Sequence, residues 1–341
     1  MSWSLKIFWA IGFLSTFSVQ VWAQEITGTV LDSKTKEPIF GASVYYDGSS
    51  VGTMTDENGN FEIRLPYRNN AVLVISHLGY QAKEMVNLPE DAILRVLLQE
   101  QVEDLQEVVL TSDPFSRKEK LEVFRLEFLG DTRGGRSSII ENEEDIRLYF
   151  NSEDNTLSAY CDKPIVIQND YLGYRVFFYV DEFKIFFKRK SLERIDNIHQ
   201  TLFDGSTRFF DTSQGNPKIA ERRAKAYLGS PRHFMRACWY GDVENQNFKL
   251  KKNYKDVVLT DFMVNMAKPD QDLRDIRFMG SQYVIYYRQN GNYRSTLKIN
   301  ELDTTYILDR YGNYSPFESL AFGGHMSDYR LGDMLPMDYG L

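Results

Sequence analysis

The chain has 341 residues, 43% of them hydrophobic and 26% charged, which is enough for two or three domains and excludes a disordered chain or a mini-protein. The formal net charge of -8 is unevenly placed: residues 24–112 hold 14 acids and 6 bases, and the residues after 112 are near balance with 34 acids and 33 bases. An acidic leading part repels nucleic acid and anionic lipid, so neither is an expected partner.

Met1 and Lys6 precede the uncharged run from Ile7 to Gln24, whose apolar heart ends near Phe17 and gives way to Val21-Trp22-Ala23. This is the three-part layout of a secretory signal, with Val21 and Ala23 placed for cleavage after residue 23. The apolar heart is shorter than the roughly 20 residues that span a bilayer. No later stretch is long and apolar enough to cross as a helix, and the first cysteine is Cys161, too late for a lipid anchor at the cleavage point. The expectation is a periplasmic or cell-envelope associated protein without a transmembrane span after signal cleavage. Cys161 and Cys238 are the only cysteines, and an oxidising compartment permits either a bridge or two free thiols.

From Glu25 to Leu98, short apolar runs alternate with turn residues. Strands are predicted near Ile26 to Leu31, Ala42 to Tyr46, Val51 to Thr55, Asn60 to Leu65, Ala71 to Ser76, Tyr80 to Val86 and Ala92 to Leu98. Phe61, Ile63 and Leu65 alternate with Glu62 and Arg64, as in a half-buried strand. Asp47-Gly48 and Asn58-Gly59-Asn60 supply turns. Seven strands without a helix imply a β-sandwich at residues 24–100.

The order Gly28-Thr29-Val30-Leu31-Asp32, Glu37-Pro38-Ile39, Gly41-Ala42-Ser43-Val44, Gly52-Thr53-Met54-Thr55-Asp56, Asn58-Gly59-Asn60-Phe61, Ile75-Ser76 and Leu78-Gly79-Tyr80 resembles the carboxypeptidase-like regulatory domain family. The resemblance implies a seven-stranded transthyretin/Ig-like sandwich, common in Bacteroidetes cell-envelope proteins as an accessory module. The family name does not imply peptidase activity. Leu105 to Leu110 is similar to the segment that follows this domain in outer-membrane TonB-dependent receptors. A barrel of about 22 strands needs more residues than follow, so the chain is not such a receptor by itself.

Residues 101–120 read as a linker, charged at DPFSRKEK. Residues 121–341 are expected to form a larger, aromatic, β-rich α+β domain of unknown function. YRVFFYVDEFKIFF at 174–187 and YVIYY at 283–287 favour strands. Gln282 to Arg288 and Tyr293 to Ile299 flank an Asn-Gly turn as a hairpin, and a second turn is predicted at Gly312-Asn313. Two short central helices are predicted, at Lys218 to Leu228 and at Arg232 to Tyr240, the second capped by Ser230-Pro231 and closed by Gly241. Helix is expected only there. The second helix carries Phe234 and Cys238 on one face and Arg232 and Arg236 on another; the arginines are read either as solvated or as an anion site at the helix start. Blocks at 173–175, 227–234 and 333–339 resemble the second half of uncharacterised envelope proteins that carry the regulatory domain, a likeness that brings no activity.

The chemistry is sparse. None of His77, His199, His233 or His325 has a glutamate at zinc-peptidase spacing, and there is no HExxH. His233 reads as a structural histidine, with an acid-base role as the sharper reading. Gly48-Ser49-Ser50-Val51-Gly52 spells G-x-S-x-G but links two strands, where a nucleophile needs a strand turning into a helix. Ser33 to Lys36 spells S-x-x-K in a polar loop, and Asp56 to Asn60 reads as a plain turn, not a calcium loop. The acidic runs Glu141 to Asp145 and Asp270 to Asp275 offer carboxylates for metal binding or glycoside hydrolysis, with solvated surface as the ordinary account. Lys188-Arg189-Lys190 is read as a solvated strand end. No catalytic, metal-binding or cofactor residue is assigned, and no cofactor is expected.

The sequence thus predicts an exported non-enzymatic envelope protein, with a sandwich for interaction or spacing and a second domain that binds a protein or polysaccharide partner. The alternatives are an accessory subunit of an outer-membrane TonB-dependent transport system and a hydrolase of envelope glycan or peptide.

Overall fold

The computed structural model describes residues 24–65, 72–86, 88–89, 92–101, 113–193, 196–266, 273–289, 291–316 and 319–340. The predicted signal segment, Leu105 to Leu110 and the first half of the Asp270 to Asp275 run lie outside these residues.

The chain is mainly β. Its first seven strands are β1 (Gln24–Asp32), β2 (Ser43–Tyr46), β3 (Gly52–Met54), β4 (Asn60–Leu65), β5 (Leu73–Ser76), β6 (Lys83–Met85) and β7 (Ile93–Leu98). Each falls where a strand is predicted. They form two sheets, one ordered β4-β1-β7 and one β3-β2-β5-β6, with β1 antiparallel to β4 and parallel to β7. Ile26, Val30, Val44, Phe61, Ile63, Leu73, Ile75 and Val96 fill the space between them. Gly28 is required by packing: a Cβ there would lie 2.6 Å from the Leu94 carbonyl oxygen and 2.8 Å from the Phe61 ring. The Asp56 turn is closed by its own carboxylate, which accepts the amides of Asn58 and Asn60 at 2.9 and 2.8 Å.

Residues after 113 are built around two separate hydrophobic clusters, a division the sequence reading did not draw. The first body begins with α1 (Arg117–Leu129) and α2 (Arg133–Ser137), neither of which was expected. Ser116 and Glu119 cap α1 reciprocally, so the charged segment read as linker is a helix start. Phe124 and Phe128 stack at 5.0 Å and meet Phe183 and Phe178 of the sheet edge-on at 4.8 and 5.1 Å. That sheet contains β8 (Ser138–Ile140), β9 (Arg147–Asn151), β10 (Thr156–Tyr160), β11 (Ile165–Asn169) and the long strands β12 (Tyr174–Phe187) and β13 (Ile198–Asp211). One side of β12 pairs first with β11 and then with β10, and the other side pairs with β13 along almost its full length.

The central helices follow as α3 (Pro217–Tyr227) and α4 (Pro231–Tyr240), as predicted. The second body holds β14 (Phe248–Lys252), β15 (Lys255–Val257), α5 (Leu259–Phe262), β16 (Met263–Asn265), β17 (Leu273–Phe278), β18 (Gln282–Tyr287), β19 (Tyr293–Ile299), β20 (Tyr306–Asp309), β21 (Tyr314–Ser315) and β22 (Leu320–Gly324). Two sheets, ordered β15-β14-β18-β19-β22 and β16-β17-β20-β21, enclose a core into which α4 buries Phe234, Cys238 and Trp239. The expected hairpin is β18-β19, and the Gly312-Asn313 turn joins β20 to β21. Cys161 packs at the edge of the first cluster and Cys238 inside the second, and both are free thiols.

Candidate functional site

The hinge between α3 and α4 is set by its sequence. Pro231 starts α4, and Ser230 Oγ accepts the His233 amide at 3.1 Å. Gly229 stands at φ +80°, where a Cβ would lie 2.7 Å from the Tyr287 ring, so only glycine turns the chain here. The Gly229 amide donates to His233 Nδ1 at 3.0 Å. That donor fixes the tautomer: Nε2 carries the hydrogen and donates to Gln246 Oε1 at 3.0 Å. Gln246 in turn donates to Asp242 Oδ2 at 2.9 Å. Burial, foremost, pushes the His233 pKa below its ordinary range and keeps the ring neutral. Both ring nitrogens are therefore engaged, the arrangement of a structural histidine.

The solvated reading of the α4 arginines does not describe what they touch. Arg232 donates to the Leu335 carbonyl at 2.7 Å. Arg236 donates to the carbonyls of Tyr311, Tyr339 and Met337 at 2.6, 2.9 and 3.1 Å. Desolvation, with the neighbouring Arg236 second, pushes the Arg232 pKa down to about 10. The segment 335–339 is thereby strapped along α4. On α3, Arg223 lies 3.8 Å over the Tyr174 ring, reaches the carbonyls of Leu172 and Gly173 at 2.7 and 2.8 Å, and forks onto Asp211 at 2.8 and 2.9 Å. The three blocks at 173–175, 227–234 and 333–339 thus meet around α3 and α4.

A cavity of about 520 Å³ opens beside this strap. Tyr227, Arg236, Tyr240, Asp242, Gln246, Arg310 and Tyr311 line it, with His233 at its back.

The strap also reaches the sandwich. The turn joining β2 and β3 lies along β13 as a short parallel bridge between Ser49 and Arg208. Gly48 N donates to the Thr207 carbonyl at 2.8 Å, and Phe209 N donates to the Ser49 carbonyl at 2.9 Å. Met337 N donates to the Gly48 carbonyl at 2.6 Å, and Ser50 N donates to Asp338 at 2.8 Å. Tyr45, wholly buried, bonds Ser206 at 2.9 Å and stacks on Tyr179 at 5.7 Å. Asp47 accepts the Thr207 amide at 2.6 Å, and its carboxyl is pushed up to about 6, mainly by desolvation. Glu84 and Asp181 are raised too, by burial first and then by neighbouring carboxylates. The residues that spell G-x-S-x-G are therefore docking residues, with Gly52 backed against the Arg208 guanidinium.

The remaining candidates do not converge. His199 is exposed on β13, His77 meets Tyr80 edge-on, and His325 stacks on Tyr293 at 4.4 Å. Among the described residues no three His, Cys, Asp or Glu side chains are grouped to hold a metal. In the Glu141 to Asp145 run, Glu141 pairs with Arg175 at 2.6 Å, Asp145 with Lys163 at 3.3 Å and Glu143 with Arg125. Lys34, in the S-x-x-K loop, pairs with Glu100 at 2.8 Å. Lys188, Arg189 and Lys190 follow the end of β12 and are exposed. The docking residues were missed because nothing local marks them. A partial signal was present: Val44-Tyr45-Tyr46 and Leu73-Val74-Ile75 are continuous apolar runs, the pattern of strands covered on both faces, but Val96-Leu97-Leu98 of the edge strand β7 reads the same way, so the run alone does not single out the docked face.

Residues 26–110 match the profile of the CarboxypepD_reg-like domain family. The chain is 41% identical over 95 residues to the TonB-dependent receptor SusC of Bacteroides thetaiotaomicron, covering 27% of this chain and 9% of the receptor. It is 31% identical over 100 residues to the TonB-dependent receptor P3 of Formosa agariphila, covering 29% of this chain and 10% of that one. The chain therefore spans about a tenth of the length of these curated relatives. A solved structure of a putative membrane-associated protein of unknown function from Bacteroides fragilis aligns with 88% of this chain and 92% of its own, at 11% identity and a TM-score of 0.18. Among the described residues no helix is long and apolar enough to cross a membrane. By sequence match and strand order, the sandwich that opens this chain belongs to the CarboxypepD_reg-like domain family and is homologous to the corresponding region of SusC.

Proposed function

We propose that the protein is exported, non-enzymatic and envelope-associated, with the sandwich presenting an interaction surface and the part after residue 113 holding a protein or polymer. The observation that carries this reading is the one-sided docking of the sandwich. The outer face of β2 and β5 is covered, with Tyr45 and Val74 at 0% exposure, while β7 is the edge of the other sheet and Ile93 on it is 87% exposed. An edge strand with an uncovered apolar side chain is a ready partner for another protein. Homology of the sandwich to part of TonB-dependent receptors favours the more specific version, an accessory subunit of such a transport system. The hydrolase reading gains little from the acidic run at 141–145, where three of the four carboxylates, Glu141, Glu143 and Asp145, are held by Arg175, Arg125 and Lys163.

The test is a photo-crosslinking amino acid placed at Ile93 in the native envelope. The expected results are an exported chain whose mature mass begins at Gln24, and one dominant protein adduct that Arg95→Glu, on the same exposed edge, abolishes. A cytoplasmic chain, or no adduct from Ile93, overturns the reading.

A further inference from the structure

We propose that the cavity beside α4 binds an acidic saccharide, a pyranose ring carrying one carboxylate. The inference deepens the binding role just given to the part after residue 113 and rests on it.

Size comes first: about 520 Å³ lies within the range of small-molecule sites and accommodates one or two sugar rings. Composition narrows the ligand. Three tyrosine rings, Tyr227, Tyr240 and Tyr311, face the space, and no aliphatic side chain larger than Ala237 does. Tyrosine offers a flat apolar face and a polar tip, which suits a ring with C–H faces and hydroxyl edges and suits a lipid or an aliphatic peptide poorly. Tyr240 stands 60% exposed and is the platform an incoming ring meets first.

Charge fixes the substituent. The three hydrogen bonds of Arg236 all go to neutral carbonyls, which orient the guanidinium without cancelling its charge. Arg310 adds a second cation to the lining. A carboxylate in the cavity gives Arg236 a counter-charge in charge-assisted geometry. A carboxylate in the same lining, Asp242, limits that charge to one. Asp242 accepts from the side-chain amides of Asn245 and Gln246 at 2.6 and 2.9 Å, and these bonds hold it ionised. It accepts hydroxyls readily and repels a second anion, so a polyphosphate is disfavoured. His233 behind them is neutral and leaves this balance unchanged.

The experiment titrates the mature full-length chain by calorimetry with methyl galacturonoside, a glucuronate-terminated disaccharide, the methyl ester of the galacturonoside and adenosine monophosphate. Saturable binding of one uronate is expected, weakened about tenfold by esterification and by a comparable factor in Tyr240→Ala and in Arg310→Ala. Tyr240→Ala alters an exposed side chain and is expected to keep the wild-type unfolding temperature, and circular dichroism establishes that the Arg310 variant is folded before it is titrated. Equal binding of the ester, tighter binding of the nucleotide, wild-type affinity in either variant, or no uronate binding up to about 10 mM each overturns the proposal. If no uronate binds while the Ile93 crosslink persists, the cavity assignment falls and the interaction reading of the sandwich stands.

Discussion

Asp47 shows how one residue serves docking at a cost. Its carboxylate takes the Thr207 amide, yet it is desolvated at the junction and its pKa rises from 3.8 to about 6. A carboxyl whose folded pKa is raised destabilises the fold wherever it is ionised, so its penalty is full above pH 6 and disappears as pH falls towards 3.8. Asp47→Asn keeps the acceptor oxygen and removes the charge. It is expected to raise stability by about 1–2 kcal/mol at pH 8 and by almost nothing near pH 4, read from denaturant midpoints at the two pH values. An equal gain at both would place the effect in packing. His233 acts with the opposite sign: its lowered pKa contributes stability that is present at neutral pH and is lost as pH falls below 6.5.

At the scale of elements, α3 is held to the first body by Arg223. The guanidinium combines a fork on Asp211, two carbonyls and a ring face, a set that a lysine ammonium cannot satisfy together. Arg223→Lys is expected to cost about 2–3 kcal/mol in chemical denaturation although charge is conserved, and a change within 0.5 kcal/mol would show that the fork contributes little. The sandwich strands, the β18-β19 hairpin and both central helices were legible because each carries its own periodicity, turn residues or caps. By contrast α1 was hidden in a segment read for its charges, although Ser116 and Glu119 already spelled a capping box before Leu121, Phe124 and Phe128. The site was barely legible. Arg232 and Arg236 had the right spacing, but their partners are main-chain carbonyls about 75 to 103 residues away, which leave no mark on local sequence.

For the whole molecule, the arrangement is three hydrophobic bodies that one short segment touches in common, beside the direct contacts of the β2–β3 turn with β13. Residues 331–339 supply Leu331 and Leu335 to the first body, accept from the arginines of α4 beside the second, and bond the β2–β3 turn of the sandwich. The sandwich is accordingly part of a single assembly and presents the β4-β1-β7 sheet outward in a fixed direction. On the proposed function, this geometry gives the sandwich a defined reach towards its partner. Its most direct test is amide hydrogen exchange on the mature chain, following Gly48, Phe209 and Met337, whose amides donate across the junction. The account predicts that all three exchange slowly in the intact chain and that Gly48 and Phe209 lose protection together when residues 335–341 are removed, with the sandwich core strands still protected. Rapid exchange of these amides in the intact chain, as in a free surface turn, would contradict it.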